Sequence, residues 1–253
     1  MSFLNKLGIG VGAGAGGGWD ISRGIAASNR PRTPAPASTA AIGATRAPEL
    51  RESTRGSNGL KEFLWNLDGL GRGTLLDLGP AWQTTLSFFI ERGFRVSSED
   101  ILREWKEFLV EEEAKLRAAT GSSSEAPDVS PIGRASRFLE TNLRYPASSF
   151  DAILLWDLLD YLEPVVGRQV VSCLTEMLRP GGIVFAMFHS KKPEGFQRYR
   201  VVDSNSLQVI STPALCPAQR VYQNREIQDL FSRYRTMKSF VGRDQLREAL
   251  FIK

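Results

Sequence analysis

Residues 150–188, FDAILLWDLLDYLEPVVGRQVVSCLTEMLRPGGIVFAMF, contain two continuous apolar runs on either side of a segment with helical spacing. The runs FDAILL and IVFAMF are apolar almost throughout, which is typical of strands that are covered on both faces. Between them, apolar residues recur four, four and three positions apart, at Val166, Val170, Leu174 and Met177. The helix is predicted to end at residues 179–182 (RPGG), because Pro cannot continue a helix and Gly permits the turn. This stretch therefore predicts a strand–helix–strand unit of a parallel sheet.

The same alternation of strand and helix signals extends towards the N-terminus. Strands are predicted at residues 74–78 (TLLDL), an apolar run after a Gly-rich turn, and at residues 94–98 (FRVSS). Helices are predicted over residues 82–93 and 101–119, where apolar residues recur at helical spacing. Residues 134–140 are the candidate for a further strand, which would bring the central sheet to seven.

The C-terminal part of the chain adds strands that have no long helix between them. Residues 198–222 alternate strand-like runs with turns, and residues 225–234 have the pattern of a helix. The last two strand candidates, residues 237–241 and 248–252, are close together and are expected to pair as an antiparallel hairpin. The whole pattern predicts an α/β fold with a Rossmann-like, doubly wound, mostly parallel seven-stranded sheet that ends in this hairpin.

Residues 1–59 differ in composition from the rest of the chain. They hold 11 of the 23 Gly residues, in runs such as GIGVGAGAGGG, followed by RPRTPAPASTAA. Gly loses the most backbone entropy on folding and Pro lacks a backbone donor, so this segment cannot bury enough surface to order itself. We therefore predict a disordered Gly/Ala/Pro-rich basic tail over residues 1–59 and one folded domain over residues 60–253.

The charge distribution and the rare residue types exclude several classes of protein. Residues 1–59 hold seven of the 32 basic residues and three of the 28 acidic ones, so the remainder of the chain holds 25 of each. Nucleic acid is therefore an expected partner only through the basic tail. Two Cys and one His exclude a disulfide scaffold and a Cys/His zinc site, and no metal is expected. No membrane span or signal peptide is predicted, so the expected location is the cytoplasm.

In a doubly wound sheet, the ligand lies beyond the carboxyl ends of the strands. The residues just after three predicted strands are therefore the candidate ligand contacts: Asp77, Gly79, Glu99, Asp100, Trp156 and Asp157. A carboxylate after the second strand is the usual acceptor for ribose hydroxyls, a role predicted for Asp100, with Glu99 in its place if the register shifts by one residue. Asp100 is also placed to cap the helix that follows it. His189, the single His, follows the IVFAMF run, where a general base can lie; a solvated side chain is the alternative.

Four motifs occur in a fixed order: LDLGPAWQ at residues 76–83, GFRVSSED at 93–100, LRYPASSFDAILLWDLLDYLEP at 143–164 and MLRPGGIVFAMF at 177–188. In this order and at these spacings, the chain resembles the class I S-adenosylmethionine-dependent methyltransferases over roughly residues 60–253. That family has a first loop of the form Asp/Glu-x-Gly-x-Gly-x-Gly, and its sheet also contains an antiparallel terminal strand. The resemblance implies S-adenosyl-L-methionine as the cofactor and transfer of its methyl group to an acceptor, expected to be a small molecule.

The resemblance also implies roles for individual residues. Asp77 and Gly79 match the first-loop positions beside the methionine part of the cofactor, and Asp100 matches the ribose carboxylate. Trp156 and Asp157 match the loop after the fourth strand, which faces the methionine part and the substrate. Methyl transfer from a sulfonium is an in-line displacement, so such an enzyme mainly supplies orientation and desolvation.

The chain departs from the family pattern at two places. Ala81 and Gln83 occupy the second and third Gly positions of the first loop; Ala adds only a methyl group, so Ala81 is retained as a cofactor contact, whereas Gln adds a full side chain. The family's acidic residue for the adenine amino group falls on Leu139, with Glu140 next to it as the candidate. These departures leave open a catalytically inactive, methyltransferase-like binding module. An NAD(P) enzyme is disfavoured because the GxGxxG loop is absent.

Overall fold

A computed structural model of the chain describes residues 52–119, 128–242 and 244–253. The strands in this part of the chain are β1 (Glu52–Gly56), β2 (Gly73–Asp77), β3 (Phe94–Ser98), β4 (Phe150–Trp156), β5 (Leu178–His189), β6 (Phe196–Asp203), β7 (Ser206–Thr212), β8 (Thr236–Val241) and β9 (Leu246–Ile252). Its helices are α1 (Asn58–Leu67), α2 (Gln83–Ile90), α3 (Ile101–Ala119), α4 (Pro131–Asn142), α5 (Pro164–Met177) and α6 (Asn224–Leu230), with a short 3₁₀ helix at Leu158–Tyr161. None of these helices is long and apolar enough to cross a membrane.

The main sheet has six strands in the order β3-β2-β4-β5-β9-β8. Strands β3, β2, β4 and β5 are parallel, and β9 runs antiparallel to both β5 and β8. The chain passes from β2 outward to β3 and then returns to β4 on the other side of β2. This reversal is a topological switch point, which opens a crevice at the carboxyl ends of β2 and β4. The predicted Rossmann-like, doubly wound sheet and its terminal hairpin are therefore confirmed.

The prediction of a seventh strand at residues 134–140 is wrong, because these residues belong to helix α4. Ser130 caps this helix by accepting a hydrogen bond from the Gly133 N–H, and Pro131 occupies the first turn, where its missing donor is harmless. The apolar residues that α4 buries are three and four positions apart, namely Ala135, Phe138 and Leu139. That spacing matches a helix face and not the period of two that a half-buried strand needs.

Two apolar layers cover the main sheet, one on each face. Side chains of β4 alternate between them: Ile153 and Leu155 pack with α3, α4, α5 and α6, whereas Leu154 and Trp156 pack on the opposite face. The second layer contains α1, α2 and a separate antiparallel sheet of three strands in the order β1-β7-β6. A hydrogen bond joins strand β6 to α2, because the Val201 N–H donates to Thr85 Oγ1 at 3.0 Å. The small sheet therefore holds β6 against the face of the main sheet on which Trp156 lies.

The folded domain begins earlier than the predicted residue 60. Strand β1 pairs with β7 from Glu52 to Gly56, and Ser57 caps α1 by accepting the Leu60 N–H at 2.9 Å. These contacts place residues 52–59 within the fold, because a short strand before the α1 cap completes the small sheet. The rest of the predicted tail lies outside the described residues.

Candidate cofactor site

Asp77 ends strand β2 at the switch point and is buried. Its Oδ1 accepts hydrogen bonds from the Gly79 N–H at 3.0 Å and from Trp156 Nε1 at 2.7 Å. Burial raises the pKa of the Asp77 carboxyl to about 6, and the two hydrogen bonds offset only part of that effect. Asp77, Gly79 and Trp156, which are all predicted to contact a ligand, therefore lie together and are hydrogen-bonded to one another.

Trp156 is held in an unusual backbone conformation at the end of β4. Its φ angle is 53°, in the left-handed region that bulky residues seldom adopt, and the pairing of β4 with β5 is irregular between Leu154 and Trp156. A Cβ atom added to Gly79 would lie 2.8 Å from Trp156 Nε1, so only Gly allows the indole to approach this closely. The Gly of the first loop therefore makes room for a side chain of this chain.

Tyr199 of β6 covers the other side of the Trp156 ring. The two rings are stacked, with their centroids 6.0 Å apart and their planes inclined by 14°. The Tyr199 hydroxyl donates to Asp157 Oδ2 at 3.2 Å, and both side chains are buried. Burial raises the pKa of Asp157 to about 7, against the lowering effect of nearby His189. Asp157, a predicted cofactor contact, is therefore also bound within the chain.

Arg198, the neighbour of Tyr199 on β6, binds the carboxylate predicted to hold a ribose. Its Nη2 lies 2.9 Å from Asp100 Oδ1, and both side chains are mostly buried. Asp100 Oδ1 also accepts the Arg103 N–H at 3.4 Å, so the alternative of a helix cap is present in a weak form. Glu99, the predicted alternative to Asp100 as the ribose acceptor, accepts a hydrogen bond from the Tyr145 hydroxyl.

The crevice at the switch point is almost filled. The cavity that remains has a volume of about 20 Å³, and its wall includes Gly79, Trp156, Asp157, Arg198 and Tyr199. Such a volume holds one or two water molecules, whereas small-molecule sites usually have about 300 Å³ or more. We call Arg198 and Tyr199 the β6 plug. With the β6 plug in place, the residues that match the cofactor site have suitable chemistry but no space for S-adenosylmethionine.

Two predicted contacts lie apart from this cluster. Ala81 is exposed in the loop before α2, and Glu140 is exposed on α4, where its backbone carbonyl accepts from Arg144. Neither residue lines the crevice. The sequence prediction missed the β6 plug, because an Arg and a Tyr on a strand carry no local signal and only the pairing of the small sheet brings them here.

His189 ends β5 and is joined to Asp160 of the 3₁₀ helix. Its Nδ1 lies 2.9 Å from Asp160 Oδ2, and the same oxygen accepts the His189 backbone N–H at 2.7 Å. Burial lowers the pKa of His189, but the hydrogen bond with Asp160 and the charge of Asp157 outweigh it, so the pKa is raised overall. The sequence prediction found His189 but missed Asp160, although it lies within the quoted DLLDYL segment.

Asp77→Asn is expected to raise the free energy of unfolding at pH 8 by about 1–3 kcal/mol. The folded-state pKa of about 6 lies above the ordinary 3.8, so the folded chain binds this proton more tightly than the unfolded chain. The resulting stabilisation is present at low pH and is lost as the pH rises through 6. Asn accepts the same two hydrogen bonds without a charge, and urea unfolding at pH 4.5 and pH 8 measures the difference.

Asp151→Asn is the matched control for that experiment. Burial raises the pKa of Asp151, but hydrogen bonds from Arg179 and Thr74 outweigh it and leave the pKa lowered. Its substitution should therefore reduce stability at pH 8, with a sign opposite to that of Asp77→Asn. Equal effects of Asp77→Asn at both pH values would contradict a raised pKa at that residue.

No family model matches the chain, and no curated protein matches it. Among solved structures, it is similar to the 1,6-didemethyltoxoflavin-N1-methyltransferase of Burkholderia thailandensis with bound S-adenosylhomocysteine, at 16% identity and a TM-score of 0.40 over 78% of each chain. It is similar to an S-adenosylmethionine-dependent methyltransferase from Mesorhizobium loti, at 13% identity and a TM-score of 0.41 over 76% of this chain and 96% of that chain. It is also similar to one from Aquifex aeolicus, at 14% identity and a TM-score of 0.39 over 76% of this chain and 88% of that chain.

Proposed function

We propose that the chain is an S-adenosylmethionine-dependent methyltransferase for a small-molecule acceptor, in which the cofactor crevice opens only when the β6 plug moves away. The observation that carries this proposal is the placement of carboxylates at the switch point. Asp77 ends β2, and Asp100 and Asp157 come just after β3 and β4; these are three adjacent parallel strands whose carboxyl ends meet at one edge. A ribose and an ammonium group both require acceptors of this kind.

The assigned roles follow from these positions. In the open crevice Asp100 would accept the ribose hydroxyls, once it is released from Arg198. Asp77 and Asp157 would face the methionine part, and Trp156 would form the wall beside it. Ala81 remains a proposed cofactor contact in the first loop, and Glu140 remains a proposed contact of the adenine amino group. No metal enters this proposal.

A second function is favoured by the closed crevice itself. The polar atoms that would hold a cofactor are occupied by partners within the chain: Asp77 by Trp156, Asp157 by Tyr199 and Asp100 by Arg198. Such a self-satisfied arrangement is stable without a ligand. The alternative proposal is therefore a methyltransferase-like module that binds no cofactor and transfers no methyl group.

Calorimetric titration of the full chain with S-adenosylmethionine, S-adenosylhomocysteine and NAD separates the two functions. The methyltransferase proposal expects binding of the first two ligands in the micromolar to submillimolar range, with no binding of NAD. The β6 plug weakens the apparent affinity, because only the open fraction of the chain binds. If neither the wild type nor a variant without the Arg198 side chain binds the first two ligands at millimolar concentration, the inactive module is the correct function.

A further inference from the structure

His189 lines an open cavity next to the closed crevice, because Asp157 of the crevice wall lies 3.9 Å from His189 Nδ1. The cavity has a volume of about 260 Å³, and its wall also includes Lys191, Glu194, Gly195, Gln197 and Asp244. This volume is near the lower end of small-molecule sites, which begin at about 300 Å³. Side chains of both charges and an amide surround the space. Its size and lining therefore fit a small polar molecule.

Asp160 fixes the orientation and the tautomer of the His189 ring. An ionised carboxylate only accepts hydrogen bonds, so the neutral ring must carry its proton on Nδ1, which faces Asp160 Oδ2 at 2.9 Å. The lone pair then lies on Nε2, which has no hydrogen-bond partner among the described residues. Tyr161 packs its ring edge-on against the imidazole, with the centroids 6.3 Å apart, and limits rotation of the ring.

Acidic groups around His189 are arranged to stabilise a proton on its ring. Asp160 is fully buried, and its second oxygen, Oδ1, has no hydrogen-bond partner in the described part of the chain. Asp157 Oδ2 lies 3.9 Å from His189 Nδ1. An imidazolium would therefore neutralise buried negative charge, so proton uptake at Nε2 is favoured. Among the described residues, the other charged groups near His189 are Lys191, Glu194 and Asp244 of the cavity wall and Arg247 of β9, which donates to the His189 backbone carbonyl.

We propose that this cavity binds a small polar molecule bearing an acidic O–H or N–H group, and that His189 Nε2 accepts that group's hydrogen bond and then its proton. The O–H or N–H bond breaks, the Nε2–H bond forms, and Asp160 stabilises the resulting imidazolium. Under the proposed function, this molecule is the methyl acceptor. Only that identification rests on the proposed function; the site and its proton acceptor do not.

The ring of the single His can be observed directly, because the untagged chain contains no other imidazole. Long-range ¹H–¹⁵N spectra as a function of pH are expected to show the Nδ1–H tautomer above the pKa. Asp160→Asn should lower the pKa of His189 by roughly one unit or more, because it removes the opposite charge. Asp229→Asn, which alters an exposed carboxylate on α6, should leave this pKa unchanged. An Nε2–H tautomer in the wild type would overturn the proposal.

Phenol, a small molecule with one acidic hydroxyl, is the probe for the cavity. It is expected to shift the Nε2 signal saturably in the wild type. Gly195 lines the cavity and an added Cβ there meets no atom within 4 Å, so Gly195→Phe is the variant chosen to obstruct the cavity and Gly195→Ala is its control. The phenol effect should be lost in the first variant and kept in the second. No saturable shift, or an equal shift in Gly195→Phe, refutes the site, whatever the titration with S-adenosylmethionine shows.

Discussion

Arg198→Ala is expected to tighten the binding of S-adenosylmethionine by about tenfold or more, whereas Asp100→Ala is expected to weaken it by about tenfold or more. The two substitutions break the same ion pair, which joins the side chains at 2.9 Å. Without Arg198, the carboxylate is free for the ribose and the closed state loses a contact, so a larger fraction of the chain is open. Without Asp100, the ribose loses its acceptor, and a buried hydroxyl without a partner costs about 1–3 kcal/mol.

The opposite signs distinguish a binding role from a structural one. If the ion pair matters only for stability, both variants change the apparent affinity in the same direction. Arg179→Ala is the control, because it breaks another Arg–Asp ion pair, with Asp151, at the amino ends of β4 and β5, and it should not alter the affinity. The measurement is calorimetric titration of the three variants and the wild type. A weaker affinity for Arg198→Ala would rule out the role of the β6 plug.

The architecture could be predicted because its determinants are local. Strands β4 and β5 are continuous apolar runs, and α5 between them has apolar residues at helical spacing, so their order and direction follow from sequence patterns. The carboxylates at the carboxyl ends of β2 and β4, Asp77 and Asp157, could be located in the same way. The strand predicted at residues 134–140 is wrong, because the apolar spacing of that segment is that of a helix.

The closure of the crevice by the β6 plug could not be predicted, because it depends on contacts between residues that are far apart in the sequence. Arg198 and Asp100 are 98 residues apart, and Tyr199 reaches Asp157 only because β6 pairs with β7 and packs on α2. Side chains that bind a ligand and side chains that bind each other have the same sequence signature. The sequence therefore predicts that Asp77, Trp156 and Asp157 lie close together. It does not predict that Tyr199 binds Asp157 or that Arg198 binds Asp100.

Glu248→Ala is expected to lower the free energy of unfolding by about 3–5 kcal/mol, the usual effect of breaking a buried ion pair. Glu248 lies on β9 with 2% of its surface exposed, and it accepts from Arg55 Nη1 at 2.7 Å and from the Gly59 N–H at 2.6 Å. It thereby ties β1 and the first turn of α1 to the main sheet. Its loss leaves the mostly buried Arg55 guanidinium without its closest buried carboxylate, although Asp244 and the Met187 sulfur remain, and it leaves an unpaired N–H at a helix start.

Gly59→Ala tests the same junction by a different mechanism. Ala is a better helix former than Gly by about 1 kcal/mol, so an unconstrained site in α1 would be stabilised. A Cβ at Gly59, however, would lie 2.7 Å from both Cβ and Oε2 of Glu248 and 2.9 Å from Phe185, so destabilisation is expected instead. Glu52→Ala removes an exposed ion pair with Arg200 at 3.5 Å and an exposed hydrogen bond from Gln208 at 2.6 Å, and it should change the free energy of unfolding by less than about 1 kcal/mol. Urea unfolding measures all three, and a loss below about 1 kcal/mol for Glu248→Ala would show that β1 and α1 are held by apolar packing alone.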